Sequence, residues 1–270
     1  MNDHILTLAR EHAPCYLYEY DVMRRQVETL RQTFPRYDLL YSIKANPFPP
    51  VVRALAGLGL GADAASAPEV LLSRRSGMAR EDIFFSAAGK SDAALEAAWD
   101  EGEIIADSLG EVARIGALCE KKGQHRAIGV RMNPSFGMGS AAGGPSKFGI
   151  NEEDLPRLKA LLDTLPVTVE GIHVHLKSQN LDADVLGGCY RDSWALAKRV
   201  RDALGCGMRY VNFGSGVGVA YDEAFEQPMA LERLRTYTDA IAADNDATLR
   251  ARLMIETGRF PTAQAGTYWL

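Results

Sequence analysis

Eight short β-prone runs alternate with helical stretches between Leu39 and Glu256. Segments such as APEVLLSRRSGM and LGEVARIGALCEKKG repeat their apolar residues at helical spacing. This alternation favours parallel strands with right-handed crossovers, and eight units close a (β/α)8 barrel. We therefore predict an α/β fold, a TIM barrel over residues 36–270, with an open doubly wound sheet as the alternative. The predicted strands are Leu39–Ala45, Gly61–Ala65, Ile83–Ser86, Glu103–Ala106, Arg126–Met132, Val167–Leu176, Tyr210–Phe213 and Arg252–Glu256.

Two tetrapeptides predict where helices begin. SAPE at Ser66–Glu69 and SLGE at Ser108–Glu111 have the pattern of capping boxes. In such a box the serine hydroxyl accepts a hydrogen bond from a free backbone amide and the glutamate reaches back. Both boxes directly follow predicted strands, as the barrel requires.

Three segments stand outside the repeating pattern. APCYLYEYD and the helical VMRRQVETLRQTF predict an added strand and helix at residues 1–35. The glycine-rich segment 133–149 predicts a mobile loop after the fifth strand. The last residues, GRFPTAQAGTYWL, stop on apolar side chains without a cap, so we expect a fragment of a longer protein.

Composition excludes several classes of function. A net charge of -5 with scattered basic residues argues against nucleic acid as a partner. No apolar run approaches the roughly 20 residues that span a bilayer, and no signal peptide is evident, so we expect a cytoplasmic protein without a membrane partner. The four cysteines are far apart and predict neither a zinc site nor disulfides; they are Cys15, Cys119, Cys189 and Cys206.

The polar residues at the predicted strand ends indicate an active site, because the carboxyl ends of barrel strands form its mouth. Lys44, in YSIKANP, ends the first strand. A lysine shielded from water and near other cations can lose its proton and form an imine with an aldehyde. A structural lysine paired with a carboxylate is the alternative. The other polar residues at these ends are Asp63, Arg131, His173, His175, Glu256 and Arg259.

The stretch NFGSGVG, Asn212–Gly218, predicts a phosphate site, because small residues let backbone amides approach an anion and the last strands usually bind phosphate in this fold. A turn that merely connects a strand and a helix is the alternative. With Arg259 for charge and Lys44 for an aldehyde, the favoured ligand is pyridoxal 5'-phosphate. Its ring nitrogen needs a carboxylate partner, which Glu256 could supply.

GIHVHL places His173 and His175 on the same face of a predicted strand. Metal binding is one use for such a pair, but no acidic or thiol ligand lies nearby in sequence, and we predict no metal. Stacking of one ring on a flat cofactor fits better. A core histidine with satisfied hydrogen bonds is the alternative, more so for His173 than for His175.

Taken together, these motifs resemble those of the fold-type III pyridoxal-phosphate decarboxylases, which act on diaminopimelate, ornithine and arginine. The similarity covers nearly the whole chain and is greatest for the diaminopimelate branch. The motifs occur in one order, which makes them specific as a set: YSIKANP, GLGLGADAASAPEV, IIADSLGEV, VRMNP, SKFGI, GIHVHLKSQ, NFGSG and IETGRF.

The resemblance implies roles for single residues. Lys44 resembles the lysine that binds the cofactor aldehyde, His175 the histidine that stacks on the ring, and Glu256 the partner of the ring nitrogen. These three are the predicted catalytic residues. The predicted cofactor-binding set adds Asp63, Arg131, Ser178, Gly214, Ser215, Gly216, Gly258 and Arg259.

Three positions depart from the family pattern. Ser215 interrupts the glycine triplet, Lys177 replaces the glycine of His-x-Gly-Ser, and Thr257 replaces the proline of Glu-Pro-Gly-Arg. These departures leave the substrate open and point towards a secondary-metabolism or siderophore branch. Family members also have a C-terminal β domain, with a cysteine acid and a tyrosine, which we expect to be missing from this chain, and their sites are completed by the partner subunit of a homodimer.

The resemblance implies decarboxylation of an amino acid, with meso-diaminopimelate or a related diamino acid as substrate. A barrel that carries the cofactor without catalysis is an alternative, as is a decarboxylase of secondary metabolism. A homologue that has lost the cofactor is disfavoured because Lys44, His175, Glu256 and Arg259 are all present. A racemase is disfavoured because such enzymes place an arginine, not a glutamate, beside the ring nitrogen.

Overall fold

A computed structural model describes residues 3–139, 142–144, 146–222 and 224–270. The strands are β1 Cys15–Tyr18, β2 Asp38–Ser42, β3 Gly61–Ala64, β4 Ile83–Phe85, β5 Glu103–Ala106, β6 Arg126–Asn133, β7 Ile150–Asn151, β8 Val167–His173, β9 Tyr210–Asn212, β10 Arg252–Thr257 and β11 Gly266–Trp269. The helices are α1 Asp3–His12, α2 Tyr20–Thr33, α3 Pro49–Gly57, α4 Ala67–Arg75, α5 Asp92–Ala98, α6 Leu109–Lys122, α7 Leu155–Leu162, α8 Ala183–Leu204, α9 Leu231–Ala247 and α10 Arg259–Thr262.

Eight strands close into a barrel, as predicted. The sheet runs β5-β4-β3-β2-β10-β9-β8-β6, and β5 also pairs with β6, which closes the cylinder. Each of these pairings is parallel. The prediction of a (β/α)8 barrel is confirmed, and the carboxyl ends of all eight strands therefore lie at one rim.

A small apolar cluster fills the inside of the cylinder, separate from the large core between strands and helices; its members are Leu40, Phe84, Ile105, Tyr210 and Met254. Tyr210 reaches across towards Gly129 and Gly171. A Cβ atom on Gly171 would lie 2.3 Å from the Tyr210 ring, so this strand position has room only for glycine. The barrel interior is thus solid, and a ligand can enter only at the rim.

The helix starts at Ser66 and Ser108 are as predicted, but neither capping box closes as expected. Both hydroxyls accept from the amide three residues on, at 3.3 and 3.2 Å. Glu69 returns to the amide of Ala65 at 2.6 Å, one residue before the cap. Glu111 does not return, because its carboxylate pairs with Lys90 at 2.5 Å.

The predicted N-terminal strand and helix are present as β1 and α2. β1 pairs antiparallel with β11, so both ends of the described chain form a second, two-stranded sheet. Helix α1 was not predicted. The boundary between an extension at residues 1–35 and the barrel remains a prediction.

The glycine-rich segment is only partly described, since Ser140, Ala141 and Pro145 lie outside the described residues. Its base is tied down: the Asn133 side chain donates to the carbonyl of Gly144 at 3.1 Å. Its mobility stays a prediction. None of the helices in the described ranges combines the length and the apolar character needed to cross a bilayer.

Candidate active site

Lys44 lies at the rim, but not on a strand as predicted. β2 ends at Ser42, and Lys44 sits in a single 3-10 turn formed by Ile43–Ala45. The neighbouring ladder explains the early end, since the last pairs of β2 are Tyr41 with Thr257 on β10 and Ser42 with Asp63 on β3. The turn lifts the Lys44 side chain out of the sheet.

The environment of Lys44 also differs from the prediction. Its side chain is 54% exposed, and Nζ lies 3.3 Å from Oδ2 of the buried Asp63. The charge of Asp63 raises the pKa of Lys44 above its ordinary value, although burial and Arg131 oppose this effect. The predicted shielding of Lys44 from water is therefore wrong, and the amine lies beside a carboxylate.

The orientation of the Asp63 carboxylate is fixed by a second contact, because its other oxygen accepts a hydrogen bond from the Ser86 hydroxyl. Asp63 lies on β3 and Ser86 directly follows β4. The carboxylate that holds the Lys44 ammonium group is therefore anchored by two adjacent strands.

His175 was predicted on a strand, but β8 ends at His173. His173 is the last residue of β8 that pairs with the neighbouring strands, opposite Arg131 on β6 and Asn212 on β9. His175 therefore lies in the loop that follows β8. Its ring still lies near that of His173, at 6.4 Å and 19° between the ring planes.

The His175 ring is neutral and its tautomer is set by a neighbouring turn. The backbone N–H of Ser215 donates to Nδ1 at 3.0 Å. Burial lowers the pKa of His175 to about 4, with Glu256 opposing the change. With Nδ1 accepting, the ring proton lies on Nε2, which is 3.3 Å from the hydroxyl of Ser178.

The turn at residues 214–216 is built from backbone rather than side chains. Gly214 has φ +67°, and a Cβ atom there would lie 2.5 Å from the carbonyl oxygen of Val174. A Cβ atom on Gly216 would lie 2.4 Å from Leu186. Gly214 therefore needs glycine, whereas a side chain at Gly216 would have to displace the end of the Leu186 side chain. The resulting bare backbone is open to close approach by an anion.

Glu256 is buried at the site, with 1% exposure. Asn212 donates to its Oε1 at 2.9 Å, and Nε2 of His173 lies 3.1 Å from the same oxygen. Burial by itself would raise the pKa of Glu256, but His173, His175 and Lys44 outweigh burial and lower the pKa below its ordinary value of 4.5. The carboxylate is therefore ionised despite its apolar surroundings.

These groups meet at a cavity of about 410 Å3, lined by Ser42, Lys44, Ala45, His175, Ser178, Gln179, Ser215, Val217, Gly258 and Arg259. A cavity of about 650 Å3 lies at the opposite end of the barrel, around the starts of β8 and β9. The main charged groups there, Glu170 and Arg209, pair with each other at 2.5 Å. The smaller cavity at the rim is the candidate site because Lys44, His175 and Arg259 line it together.

The predicted site residues fall into three positions. Lys44, His175, Ser178, Ser215, Gly258 and Arg259 line the cavity. Asp63 and Glu256 lie behind its wall, and Gly214 and Gly216 flank Ser215. Arg131 lines a neighbouring cavity of about 390 Å3, which shares His175 and Ser178 with the first.

Arg131 and Arg259 differ in their partners. The Arg131 guanidinium lies 3.7 Å from Oδ1 of Asp107 and over the ring of Phe148, 4.6 Å from its centroid. Arg259 makes no ion pair with any residue in the described ranges. Of the two arginines, Arg259 is the one left free for an anionic ligand.

Sequence reasoning missed two residues that shape this site. Asn212 bridges Glu256 and the amide of Gly214, from which its Oδ1 accepts at 2.8 Å. Gln179 joins two loops through both atoms of its amide, which bond to the backbone of Val219 at 2.5 and 3.1 Å. Its φ of 59° is strained for a residue other than glycine, and such strain often marks functional sites, but it cannot be read from a sequence.

A metal was considered for the histidine pair and set aside because no acid lies nearby in sequence. The fold brings Glu256, an acid that is distant in sequence, to within 3.1 Å of His173. Within the described ranges, no group of three or more metal-ligating side chains forms.

Comparison with known proteins identifies the family. Residues 20–263 match the pyridoxal binding domain of the pyridoxal-dependent decarboxylases. The chain belongs to this family. Its cofactor is pyridoxal phosphate, which agrees with the aldehyde and phosphate chemistry predicted for the rim.

Two curated relatives and one solved structure illustrate the similarity. An L-glutamyl-[BtrI acyl-carrier protein] decarboxylase of Niallia circulans is 32% identical over 96% of this chain and 63% of its own length. A diaminopimelate decarboxylase of Aquifex aeolicus is 26% identical over 94% of this chain and 61% of its own length. The chain thus spans just under two thirds of both relatives.

The solved structure is a diaminopimelate decarboxylase of Helicobacter pylori in complex with L-lysine. It matches with a TM-score of 0.84 and 24% identity, covering 98% of this chain and 68% of the other. At this identity the likeness shows the fold, which is the same barrel.

Proposed function

We propose that this chain is the cofactor-binding barrel of a pyridoxal-phosphate-dependent decarboxylase that releases the α-carboxylate of an amino acid as carbon dioxide. One observation carries the proposal: a single cavity brings together an accessible lysine amine, a glycine turn and an unpaired arginine. A buried, ionised glutamate lies behind its wall. An aldehyde, a phosphate and a ring nitrogen would each find a partner there.

The residues present fit this cofactor. Gly214 and Gly216 have no Cβ atom, so their backbone can approach a phosphate closely. Gly258 and Arg259 line the same cavity directly after β10. The Arg259 guanidinium and the backbone of the turn at residues 214–216 would hold the phosphate. Lys44 would hold the aldehyde and Glu256 the protonated ring nitrogen.

The bound cofactor would supply an electron sink for the electron pair left behind when carbon dioxide departs. The chain's own residues prepare that step. Asp63 orients the Lys44 amine at the cavity edge, and Glu256 would hold a proton at the ring nitrogen. His175, neutral at pH 7, would offer a flat and uncharged face to the ring, and it keeps its proton on Nε2 near Ser178.

For the substrate, we propose meso-diaminopimelate or a related diamino acid as the first class. The relative from Aquifex aeolicus, a diaminopimelate decarboxylase, supports this class. An amino acid of secondary metabolism is the second class. It is supported by the relative from Niallia circulans, which acts on glutamyl groups held by a carrier protein, and by Lys177 at a family glycine position.

The test is release of labelled carbon dioxide from each candidate, using this chain alone and within the full reading frame. The proposal predicts release from one class that depends on Lys44 and on added pyridoxal phosphate. Binding of the cofactor without release from any amino acid would support a carrier instead. Absence of cofactor binding in both forms would reject the proposal.

We also propose that the complete enzyme is a homodimer, as the family resemblance implies. Sedimentation velocity of the full reading frame should give twice the mass of one chain. A monomer at concentrations where the enzyme is fully active would contradict this.

A further inference from the structure

His173 is a buried histidine whose hydrogen bonding is incomplete. Its side chain is 2% exposed. Within the described part of the chain, neither ring nitrogen has a partner in good hydrogen-bond geometry, although Nε2 lies 3.1 Å from Oε1 of Glu256. A buried polar group in this state is destabilising and calls for an explanation.

An apolar residue would serve the fold better at this position. A phenylalanine would fill a similar space without leaving ring nitrogens short of partners, and the surrounding strand is apolar. The Glu256 carboxylate lies 3.1 Å from Nε2 of the His173 ring. The presence of a histidine at this position is therefore explained by its contact with Glu256 and not by packing.

We propose that His173 is a positioning residue that keeps the Glu256 carboxylate ionised and oriented for the ring nitrogen of the cofactor. This inference rests on the proposed function for its purpose, but not for its geometry. His173 and Asn212 both approach Oε1, at 3.1 and 2.9 Å. No hydrogen bond from the described residues reaches Oε2, which leaves that oxygen available for the ring nitrogen.

The surroundings of Glu256 make such support necessary, because burial favours the protonated acid. Among the opposing groups, His173 has the largest effect in lowering the pKa of Glu256. The other groups that act electrostatically on the carboxylate are His175 from the loop after β8, Lys44 from the turn after β2 and the Tyr190 hydroxyl from α8. His175 is neutral and Lys44 is half-exposed, so the local support comes from the two side chains that approach Oε1, His173 and Asn212.

The first experiment needs no cofactor. Selective 13C labelling of glutamate, with Glu256→Gln to assign the signal, gives the pKa of Glu256 by NMR titration of the protein without cofactor. We expect His173→Phe to raise this pKa and His173→Gln, which keeps an N–H donor, to raise it less. His125→Phe, at an exposed histidine elsewhere, is the matched control and should leave it unchanged.

The second experiment measures the protonation of the ring nitrogen of the cofactor. With 15N-labelled pyridoxal phosphate, the ring-nitrogen shift should move towards the unprotonated value in His173→Phe and Glu256→Gln. In the Glu256→Gln background, His173→Phe should add no further change, because its effect passes through the carboxylate.

An unchanged Glu256 titration in both His173 variants would overturn the inference. It would also be overturned if His173→Phe moved the ring-nitrogen shift by the same amount in the Glu256→Gln background as in the wild type. If the cofactor does not bind, the proposed function fails, yet the carboxylate titration still decides the role of His173. If His173→Phe does not fold, His173→Gln gives the same decision.

Discussion

Two lysines follow barrel strands at the same rim, and their environments are opposite. Lys90, after β4, is completely buried and donates to two backbone carbonyls at 2.6 Å and to Glu111 at 2.5 Å. Lys44, after β2, is 54% exposed and has one longer contact, to Asp63 at 3.3 Å. Burial lowers the pKa of Lys90, whereas Asp63 raises that of Lys44.

The difference shows that a perturbed pKa does not by itself identify a reactive lysine. Lys90 matches the usual description of an activated amine, because it is buried and its pKa is lowered. All three of its donors are nevertheless satisfied, and it lines none of the cavities described above. Lys44 has the ordinary protonation state but opens onto the candidate cofactor cavity, so access and neighbouring groups decide between the two.

The largest expected effect is on attachment of the cofactor, which should require Lys44 and not Lys90. Lys44→Ala should abolish the visible absorbance of the bound cofactor, because no other accessible amine lines the cavity within the described residues. Lys121→Ala, at an exposed lysine on α6, is the control and should keep the full absorbance. An unchanged spectrum in Lys44→Ala would place the attachment elsewhere.

The next largest expected effect is on the free energy of unfolding, which should depend more on Lys90 than on Lys44. Lys90→Met leaves Glu111 buried without its partner, and loss of one member of a buried pair costs about 3–5 kcal/mol. Lys44→Ala also removes the cation beside a buried carboxylate, but Lys44 is itself half-exposed and Asp63 keeps the hydrogen bond from Ser86, so we expect a smaller loss than in Lys90→Met. Urea unfolding of the cofactor-free protein measures both.

Replacing the buried pair as a whole sharpens this result. Lys90→Met with Glu111→Leu should recover most of the loss, because no charge is left buried alone. Equal losses in Lys44→Ala and Lys90→Met would contradict the distinction between a functional and a structural lysine.

A smaller expected effect is on the pH dependence of stability, through His175 in the cavity wall. His175 has a pKa of about 4 in the folded protein against 6.5 ordinarily, so the unfolded chain binds more protons between these values. Stability should therefore fall as the pH drops from 6.5 to 4, by about 3 kcal/mol at most from this residue.

The difference between wild type and His175→Gln isolates this contribution from other groups. The free energy of unfolding, measured by urea at pH 7 and pH 4 without cofactor, should change less with pH in the variant. An identical pH dependence in both proteins would show that His175 is not buried in its neutral form.

The smallest effect tests what holds Lys44 protonated. Asp63→Asn removes the charge that raises the pKa of Lys44 most, so this pKa should fall. The pH dependence of acetylation at Lys44, followed by peptide mass spectrometry, measures the change, and Lys121 in the same sample is the internal control. A rise, or no change, would mean that Asp63 does not set the charge of this amine.

Much of the fold was predictable because it depends on patterns that are local in sequence. The alternation of β-prone and helical runs predicted all eight barrel strands and their parallel order. The serines at positions 66 and 108 marked helix starts correctly. Strand ends were less accurate at Lys44 and His175, because a strand ends where its neighbours leave the ladder, and those neighbours are distant in sequence.

The candidate site was predictable in its members but not in its contacts. Motif resemblance predicted Lys44, Ser215 and Arg259, which line one cavity. The pairing of His173 with Glu256 and that of Lys90 with Glu111 depend on the closure of the barrel. No local pattern signals them, and the exposure of Lys44 beside Asp63 was not predicted because Asp63 comes from another strand.

The most direct test of the central claim is reduction of the cofactor-loaded protein with borohydride, followed by peptide mass spectrometry. The account predicts a single stable pyridoxyl group, on Nζ of Lys44. A group on Lys90 or any other lysine, or no group at all, would contradict it.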